Sequence, residues 1–163
     1  MEMIDHVRID NRLIHGQVAV TWRTAINAEA IIVCNDKVAA DPIQKMALPL
    51  AVKGEKVLVL PIADLIQYDK DHPSEKKFVI CKFPSDCLAL LEAGVKIETV
   101  NVGNAAPIAG TPYRMVTKSI AATPDDAKVY RRIAELHGGH LETQMVPTYD
   151  KEDFLALLRK AKL

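Results

Sequence analysis

The sequence predicts one doubly wound α/β domain over residues 1–163, with helices on both faces of a mostly parallel sheet of about seven strands. Two observations lead to this prediction. Short, almost continuous apolar runs alternate with longer segments of helical periodicity, which is typical of parallel strands buried on both faces. Only 5% of the residues are aromatic, so a core of Val, Ile, Leu and Ala is expected, which favours an α/β fold over an aromatic-rich sandwich.

Strands and helices are expected in alternation along the chain. The apolar runs predict strands at residues 7–9, 30–34, 56–60, 78–81, 99–102, 119–122 and 141–146. Helical periodicity predicts helices over residues 16–27, 42–52, 61–68, 85–93 and 151–160, and one more that begins at Pro124 and ends before Gly138. No repeat or linker divides the sequence into two domains.

The residues at the expected helix starts agree with these assignments. Asp41 and Thr123 each precede a proline, so each can cap a helix whose first residue is that proline. Capping-box spacing also relates Thr123 to Asp126, and Asp150 to Asp153. The pattern therefore predicts helix starts at residues 42, 124 and 151.

Charge and cysteine content exclude several classes of protein. Basic and acidic residues number 21 each, and this balance of interleaved charges weighs against nucleic-acid binding. The three cysteines form no CxxC pair, which predicts reduced intracellular thiols and no metal site. The sequence has no signal-peptide core, no run of about 18 apolar residues and no glycine-rich nucleotide motif. We therefore expect a cytoplasmic protein that needs neither metal nor cofactor and reaches a membrane only through partners.

One segment, Arg8 to Val18, is the candidate active site. It follows the first expected strand and precedes the first expected helix, whose free N–H groups favour an anion. An imidazole with a pKa of about 6.5 is nucleophilic near neutral pH, so His15 is the candidate carrier of a phosphoryl group. Around it, Arg12 can place two donors on phosphoryl oxygens, Asp10 can fix the imidazole tautomer or hold Arg12, and the amides of Gly16, Gln17 and Val18 can bind the phosphoryl group.

Other residues near the expected site allow two interpretations each. Arg8 either binds the phosphoryl group or forms an ordinary ion pair with a neighbouring acid. Asn35 and Asp36 follow the second strand and either line the same cleft or, in the case of Asp36, cap the next turn. Asn101 and Gly103 end the fifth strand, where the glycine either lets a loop approach His15 or forms a plain turn. From spacing alone, a surface histidine without a chemical role is the alternative for His15 itself.

The segment Arg8 to Val18, followed by Trp22, closely resembles the active-site loop of the IIB components of the bacterial sugar phosphotransferase system, in the mannose/fructose/sorbose family. The resemblance continues through residues 35–39, 41–42, 101–104 and 146–147. It implies a mostly parallel seven-stranded sheet and the activity of a protein-Nπ-phosphohistidine–sugar phosphotransferase. In such a protein His15 accepts a phosphoryl group from a phospho-IIA partner and donates it to a sugar carried by membrane IIC and IID subunits.

The resemblance does not decide which sugar is used, whether the protein forms a homo-oligomer, or whether it has a transporter of its own. A IIB-like regulator without a transporter, and an anion-binding protein that is never phosphorylated, are the alternatives. Asn11 stands where many relatives have an acid, and in a solvated loop this difference is expected to matter little. Leu13 and Ile14 lie in the same loop, so we expect them to be exposed and to form a docking patch.

Overall fold

The computed structural model describes residues 3–163. Its strands are β1 (Ile4–Asp10), β2 (Ala30–Cys34), β3 (Val57–Leu60), β4 (Lys77–Cys81), β5 (Ile97–Asn104), β6 (Arg114–Thr117), β7 (Ile120–Ala122), β8 (Glu142–Thr143) and β9 (Glu152–Asp153). Its helices are α1 (Val18–Ile26), α2 (Asp36–Ala40), α3 (Pro42–Leu50), α4 (Ile62–Asp71), α5 (Pro84–Glu92), α6 (Pro124–Leu136) and α7 (Phe154–Lys160). Within these residues no helix is both long enough and apolar enough to cross a bilayer.

The main sheet has seven strands in the order β3-β2-β4-β1-β5-β8-β9, and every neighbouring pair is parallel except β8 with β9. Strand β1 leads through α1 to β2 on one side, whereas β5 leads through α6 to β8 on the other. The two central neighbours β1 and β5 therefore form a switch point, and ligands in open α/β sheets bind outside the carboxyl ends of such strands. This edge carries Asp10 and Asn104.

Each face of the sheet is covered by helices, as the sequence predicts. One face packs Ile32, Val79 and Cys81 against α4, α5, α6 and α7. The other packs Val33 and Ile80 against α1, α2 and α3. Successive residues of β2 and β4 point to opposite faces, and both faces are buried, which explains why these strands are continuous apolar runs.

The predicted caps are partly confirmed. Asp41 caps α3, and its Oδ1 accepts from the amides of Ile43 and Gln44. Thr123 and Asp126 form the predicted capping box at the start of α6. The prediction for Asp150 is wrong: α7 begins three residues later than residue 151, and Asp153 caps it.

Of two further strands predicted near the end of the chain, one is confirmed and the other is mostly wrong. The strand predicted over residues 119–122 is present as β7, and it pairs with β6 in a separate two-stranded antiparallel sheet. The strand predicted over residues 141–146 is reduced to β8, and it pairs with β9, which the sequence did not indicate. Strands β8 and β9 have only two residues each, and three of these four residues are acidic, so they lack the apolar pattern by which strands are recognised.

The loop between β1 and α1 does not expose its apolar residues. Leu13 and Ile14 are each only 6% exposed and belong to the core cluster that contains Trp22. Leu13 adopts a left-handed backbone conformation, φ 63°, in the turn that follows β1. The predicted docking patch at these two residues is therefore wrong. Large apolar side chains are exposed instead on α3, where Ile43 is 78% exposed.

We predict that an aspartate at position 14 destabilises the fold, whereas an aspartate at position 43 does not. Ile14→Asp buries a charge in an apolar cluster, so we expect the free energy of unfolding to fall by at least about 3 kcal/mol. Ile43→Asp makes the same chemical change on the surface and should alter it by no more than about 0.5 kcal/mol. Urea unfolding of both variants measures the difference. Equal losses would contradict the burial of Ile14.

Candidate active site

The Asp10 carboxylate lies at the carboxyl end of β1 and is almost completely buried, with 1% of its side chain exposed. Its Oδ2 accepts from Nε of Arg8 at 3.3 Å and lies 3.1 Å from Nε2 of His15. Its Oδ1 accepts from the backbone amide of Arg12 at 2.9 Å and from Nε of the same residue at 3.4 Å. Both contacts proposed for Asp10 from the sequence, one with the imidazole and one with Arg12, are therefore present together.

The His15 imidazole is half-buried, with 26% of its side chain exposed. An ionised carboxylate can only accept hydrogen bonds, so the contact with Asp10 places the ring proton on Nε2. The lone pair is then on Nδ1, and within residues 3–163 no hydrogen bond to Nδ1 is present. The ring therefore has one nitrogen held by the fold and one available to a reactant.

The start of α1 follows His15 directly. Gly16 adopts a left-handed conformation, φ 50°, and the helix begins at Val18, two residues later than the sequence predicts. Gln17 occupies the N-cap position without a side-chain capping bond, and the first turn contains no acidic residue. The amide groups of this helix start are thus not neutralised by a side chain, which favours an anion here.

The Arg12 guanidinium is the most exposed charge of the site, with 42% of its side chain accessible. Its Nη2 lies 3.5 Å from Oδ2 of Asp10, a long contact that leaves the guanidinium free to reach another anion. When the Asn104 amide is oriented so that its nitrogen donates to Ser119, its oxygen lies 2.9 Å from Nε of Arg12. Arg12 is therefore anchored to Asp10 through Nε and, more weakly, through Nη2, while much of its side chain stays accessible to solvent.

Arg8 is buried behind Asp10 and does not face the open side of the loop. Besides Asp10, its Nη1 donates to the carbonyl oxygen of Gln144 at 3.1 Å, and its Cζ lies 5.7 Å from the ring centroid of Trp22. Burial lowers the pKa of Arg8 below its usual value, and the neighbouring Asp10 opposes that shift. The structure contains the ion pair between Arg8 and Asp10, which is one of the two interpretations of Arg8.

Asn35 and Asp36 are bonded within the fold at the end of β2. Oδ1 of Asn35 accepts from the amide of Val38 at 2.9 Å, so the cap of α2 is Asn35, and the interpretation of Asp36 as the cap is wrong. Nδ2 of Asn35 donates to the Asp86 carboxylate at 3.1 Å. Asp36 accepts from the amide of Ile62 at 2.8 Å. The structure thus assigns both side chains to connections between helices and strands.

Asn101 and Gly103 lie inside β5, not in a turn. Oδ1 of Asn101 accepts from the amide of Gln144 at 2.8 Å, and Nδ2 of Asn101 donates to the carbonyl oxygen of Gln144 at 3.0 Å. Gly103 lies against the guanidinium of Arg8 and not against His15, so both interpretations of this glycine are wrong. No side-chain pattern indicates Gln144, because its contacts with Asn101 and Arg8 are formed by its backbone atoms.

A second histidine lies in this region but is fully enclosed. The His6 ring is tilted against the Trp22 ring, with a centroid distance of 4.8 Å, and meets the Phe78 ring edge-on, at 5.7 Å. Burial, assisted by the charge of Arg8, lowers the pKa of His6 to about 3. His6 is therefore neutral near pH 7, and its burial prevents contact with a phosphoryl donor.

Asn11 connects the loop to the segment that follows β5. Its Nδ2 donates to the carbonyl oxygen of Ala106 at 3.0 Å, and its Oδ1 accepts from the amide of the same residue at 2.9 Å. It also lines a cavity of about 480 Å³ together with Phe83, Ile108 and Tyr113. Asn11 is thus bonded to the segment that follows β5, although its difference from an acid is expected from the sequence to matter little. A carboxylate could not form both bonds, since it has no donor.

Comparison with known proteins relates this site to a family. Residues 4–163 match the family described as PTS system sorbose subfamily IIB component. The chain is 34% identical to the PTS system fructose-specific EIIB component of Bacillus subtilis (strain 168), over 93% of each protein. It is also 34% identical to the mannose-specific EIIAB component of Escherichia coli (strain K12), over 97% of this chain and 49% of that longer protein.

Solved structures show the same likeness in three dimensions. The IIBSor domain of the sorbose permease from Klebsiella pneumoniae superposes with a TM-score of 0.89 and 31% identity, covering 97% of both chains. The N-acetylgalactosamine-specific IIB component 1 from Escherichia coli gives a TM-score of 0.83 and 33% identity, covering 92% of this chain and 98% of that one. Sequence and fold agree over almost the whole chain, and the protein therefore belongs to the sorbose subfamily of IIB components of the phosphotransferase system.

Proposed function

We propose that the protein accepts a phosphoryl group on His15 from a phospho-IIA partner and passes it to a sugar carried by membrane IIC and IID subunits. The observation that carries this proposal is the contact between Nε2 of His15 and Asp10, which leaves the lone pair on Nδ1 of a residue that directly precedes the uncapped start of α1. The mannose-specific relative is named EIIAB, and this chain aligns with 49% of it, which supports a IIA unit as the donor. The names of relatives specify fructose, sorbose, mannose and N-acetylgalactosamine, so we propose a monosaccharide as the acceptor.

The first transfer forms one bond and breaks another at phosphorus. The Nδ1 lone pair of His15 attacks the phosphoryl group of the donor, a P–N bond forms, and the bond between phosphorus and the donor nitrogen breaks with its electron pair leaving on the donor. The imidazole of His15 retains the proton on Nε2 and becomes positively charged. That charge develops 3.1 Å from the Asp10 carboxylate, which stabilises it.

Arg12 and the start of α1 are the groups proposed to stabilise the negative charge on the phosphoryl oxygens. Transfer of a phosphoryl group needs mainly positioning and electrostatic stabilisation from the protein. The Arg12 side chain is 42% exposed, and the amides at the start of α1, including those of Gln17 and Val18, have no side-chain cap. These groups can hold the phosphoryl oxygens while phosphorus moves between nitrogen atoms.

The second transfer reverses the bond changes at His15. A sugar hydroxyl attacks phosphorus, an O–P bond forms, and the electron pair of the P–N bond returns to Nδ1. The proton of the hydroxyl goes to a base of the membrane subunits or to water. In this proposal the protein works on the cytoplasmic side, where it reaches the membrane only through contact with IIC and IID.

We predict that His15 is the histidine required for phosphorylation. The protein is incubated with phosphoenolpyruvate, the general phosphotransferase proteins and a cognate IIA, and its mass is measured. We expect one acid-labile phosphoryl group on the parent protein and on the control variants His137→Ala and His140→Ala, but none on His15→Ala. An acid-labile phosphoryl group on folded His15→Ala would refute the proposal. Sugar phosphorylation with vesicles that contain IIC and IID then distinguishes a transporter component from a regulator.

A second prediction concerns the atom that carries the group. Because Asp10 holds the proton of His15 on Nε2, we expect the phosphoryl group on Nδ1. Nitrogen-15 NMR of the phosphorylated protein, labelled at histidine, separates the two isomers by the chemical shifts and phosphorus couplings of the ring nitrogens. Phosphorylation at Nε2 would show that the contact with Asp10 breaks before transfer.

The third prediction tests the guanidinium of Arg12. Lysine keeps the charge but lacks the planar fork, so Arg12→Lys should slow transfer from phospho-IIA by at least about tenfold, and Arg12→Ala by more. Loss of one preorganised donor slows well-studied sites by about a hundredfold to a thousandfold, and the exposure of Arg12 places it at the lower end of that range or below. Single-turnover kinetics and thermal unfolding are measured side by side.

The matched control for Arg12 is Arg23→Lys on α1, the helix that follows the loop. Arg23 pairs with Glu55 at 2.8 Å, so this change should leave the transfer rate unaltered. We expect the melting temperature of both Arg12 variants to stay close to that of the parent, because the Arg12 side chain is 42% exposed and Asp10 keeps its bonds from Arg8 and from the backbone amide of residue 12. Normal transfer by folded Arg12→Ala would remove Arg12 from the site.

A further inference from the structure

Residues 101–104, which end β5, have no direct part in the proposed transfer, yet they lie directly beside the residues that do. Arg8 pairs in register with Asn101, and Asp10 pairs with Asn104. The register shifts between Ile9 and Asp10, which leaves Gly103 as the extra residue of a bulge in β5. Bulges next to an active site redirect side chains, and this bulge lies beside Arg8 and Asp10.

The glycine at this bulge provides the space that the Arg8 guanidinium occupies. A Cβ atom at position 103 would lie 2.2 Å from Cζ of Arg8, 2.5 Å from Nε and 2.6 Å from Nη1. Such distances do not occur between non-bonded atoms, and Arg8 is enclosed on its other sides by the Trp22 ring and the Gln144 carbonyl. Any side chain at position 103 therefore has to displace the guanidinium.

Asn101 is connected to Nη1 of the Arg8 guanidinium through the backbone of Gln144. It forms two reciprocal hydrogen bonds with the backbone of Gln144, at 2.8 and 3.0 Å. The Gln144 carbonyl oxygen consequently accepts from Nδ2 of Asn101 and from Nη1 of Arg8. The Asn101 amide thus fixes the acceptor that orients Arg8.

We propose that Gly103 and Asn101 are positioning residues for phosphoryl transfer, acting through Arg8 on Asp10 and thereby on the tautomer of His15. Arg8 donates to Oδ2 of Asp10, the same oxygen that lies 3.1 Å from Nε2 of His15. When the guanidinium is displaced, this oxygen loses its buried donor and its fixed position, and the proton of the imidazole is no longer confined to Nε2. The proposal rests on the proposed function for its kinetic consequence, but the tautomer of His15 is a property of the unphosphorylated protein.

A double-mutant cycle between positions 8 and 103 tests this chain of contacts. We expect Gly103→Ala to slow single-turnover transfer from phospho-IIA by about tenfold or more, and nitrogen-15 NMR to show the Nδ1–H tautomer of His15 appearing beside Nε2–H. Arg8→Ala should give the same changes. Adding Gly103→Ala to Arg8→Ala should have no further effect, because the methyl group then enters the vacated space.

Two more variants separate positioning from general loss of stability. Gly94→Ala introduces a side chain where φ is 85° and no atom lies within 4 Å, so it strains the backbone but should leave the transfer rate and the His15 tautomer unchanged. Asn101→Asp keeps the acceptor for the Gln144 amide but removes the donor to its carbonyl, and should shift the tautomer in the same direction as Gly103→Ala.

The transfer rates and His15 tautomers of these variants distinguish the proposed positioning role from other effects. Equal slowing by Gly103→Ala in the parent and in Arg8→Ala would show that the glycine does not act through Arg8 and would overturn the proposal. If Arg8→Ala does not fold, an unchanged His15 tautomer in both Gly103→Ala and Asn101→Asp overturns it instead. If the parent protein accepts no phosphoryl group, the proposed function fails, while the tautomer measurements still decide the positioning roles.

Discussion

The arrangement of the active-site loop depends on one buried carboxylate, that of Asp10. A carboxylate removed from water is costly unless donors replace its hydration, and here donors reach it from Arg8, Arg12 and His15. These residues come from the strand and from the turn after it, so satisfying one anion fixes the path of the loop. The left-handed Leu13, whose amide donates to the Asp10 carbonyl oxygen, closes this turn.

The strand that carries Asp10 has two different faces. Val7 and Ile9 point into the apolar cluster beneath α5 and α6, whereas His6 and Arg8 point to the other face, under Trp22. Polar groups at the centre of a sheet need partners, and the backbone of residues 144–145 accepts hydrogen bonds from Nη1 of Arg8 and from the indole N–H of Trp22. The Trp22 ring therefore closes the core and also covers Arg8, which holds the Asp10 carboxylate of the proposed active site.

The sequence could predict the central strands and the place of the site, but not the contacts behind it. Strands β2 and β4 are apolar on both faces, so their runs are easily recognised. Strand β1 is longer than predicted because it contains buried polar residues, and a buried arginine such as Arg8 contradicts the usual exposure of charged side chains. The space at Gly103 and the carbonyl of Gln144 depend on tertiary contacts, which no local pattern encodes.

The exposed fraction of the side chains increases from Arg8 and Asp10, through His15, to Arg12. This gradient fits the proposed role of a carrier that must both accept and release a phosphoryl group. Arg8 and Asp10 are buried and preorganised, so their geometry does not have to change during either transfer. Arg12 is partly in water, where the attraction between unit charges 4 Å apart is about 1–4 kcal/mol, far less than in a dry interior. Under the proposed function, a phosphoryl group on His15 would therefore be stabilised without being held too tightly to leave. Since Nδ1 has no hydrogen bond within residues 3–163, the proposed donor and acceptor would both have to reach this atom from the same open side, and the binding of one would exclude the other.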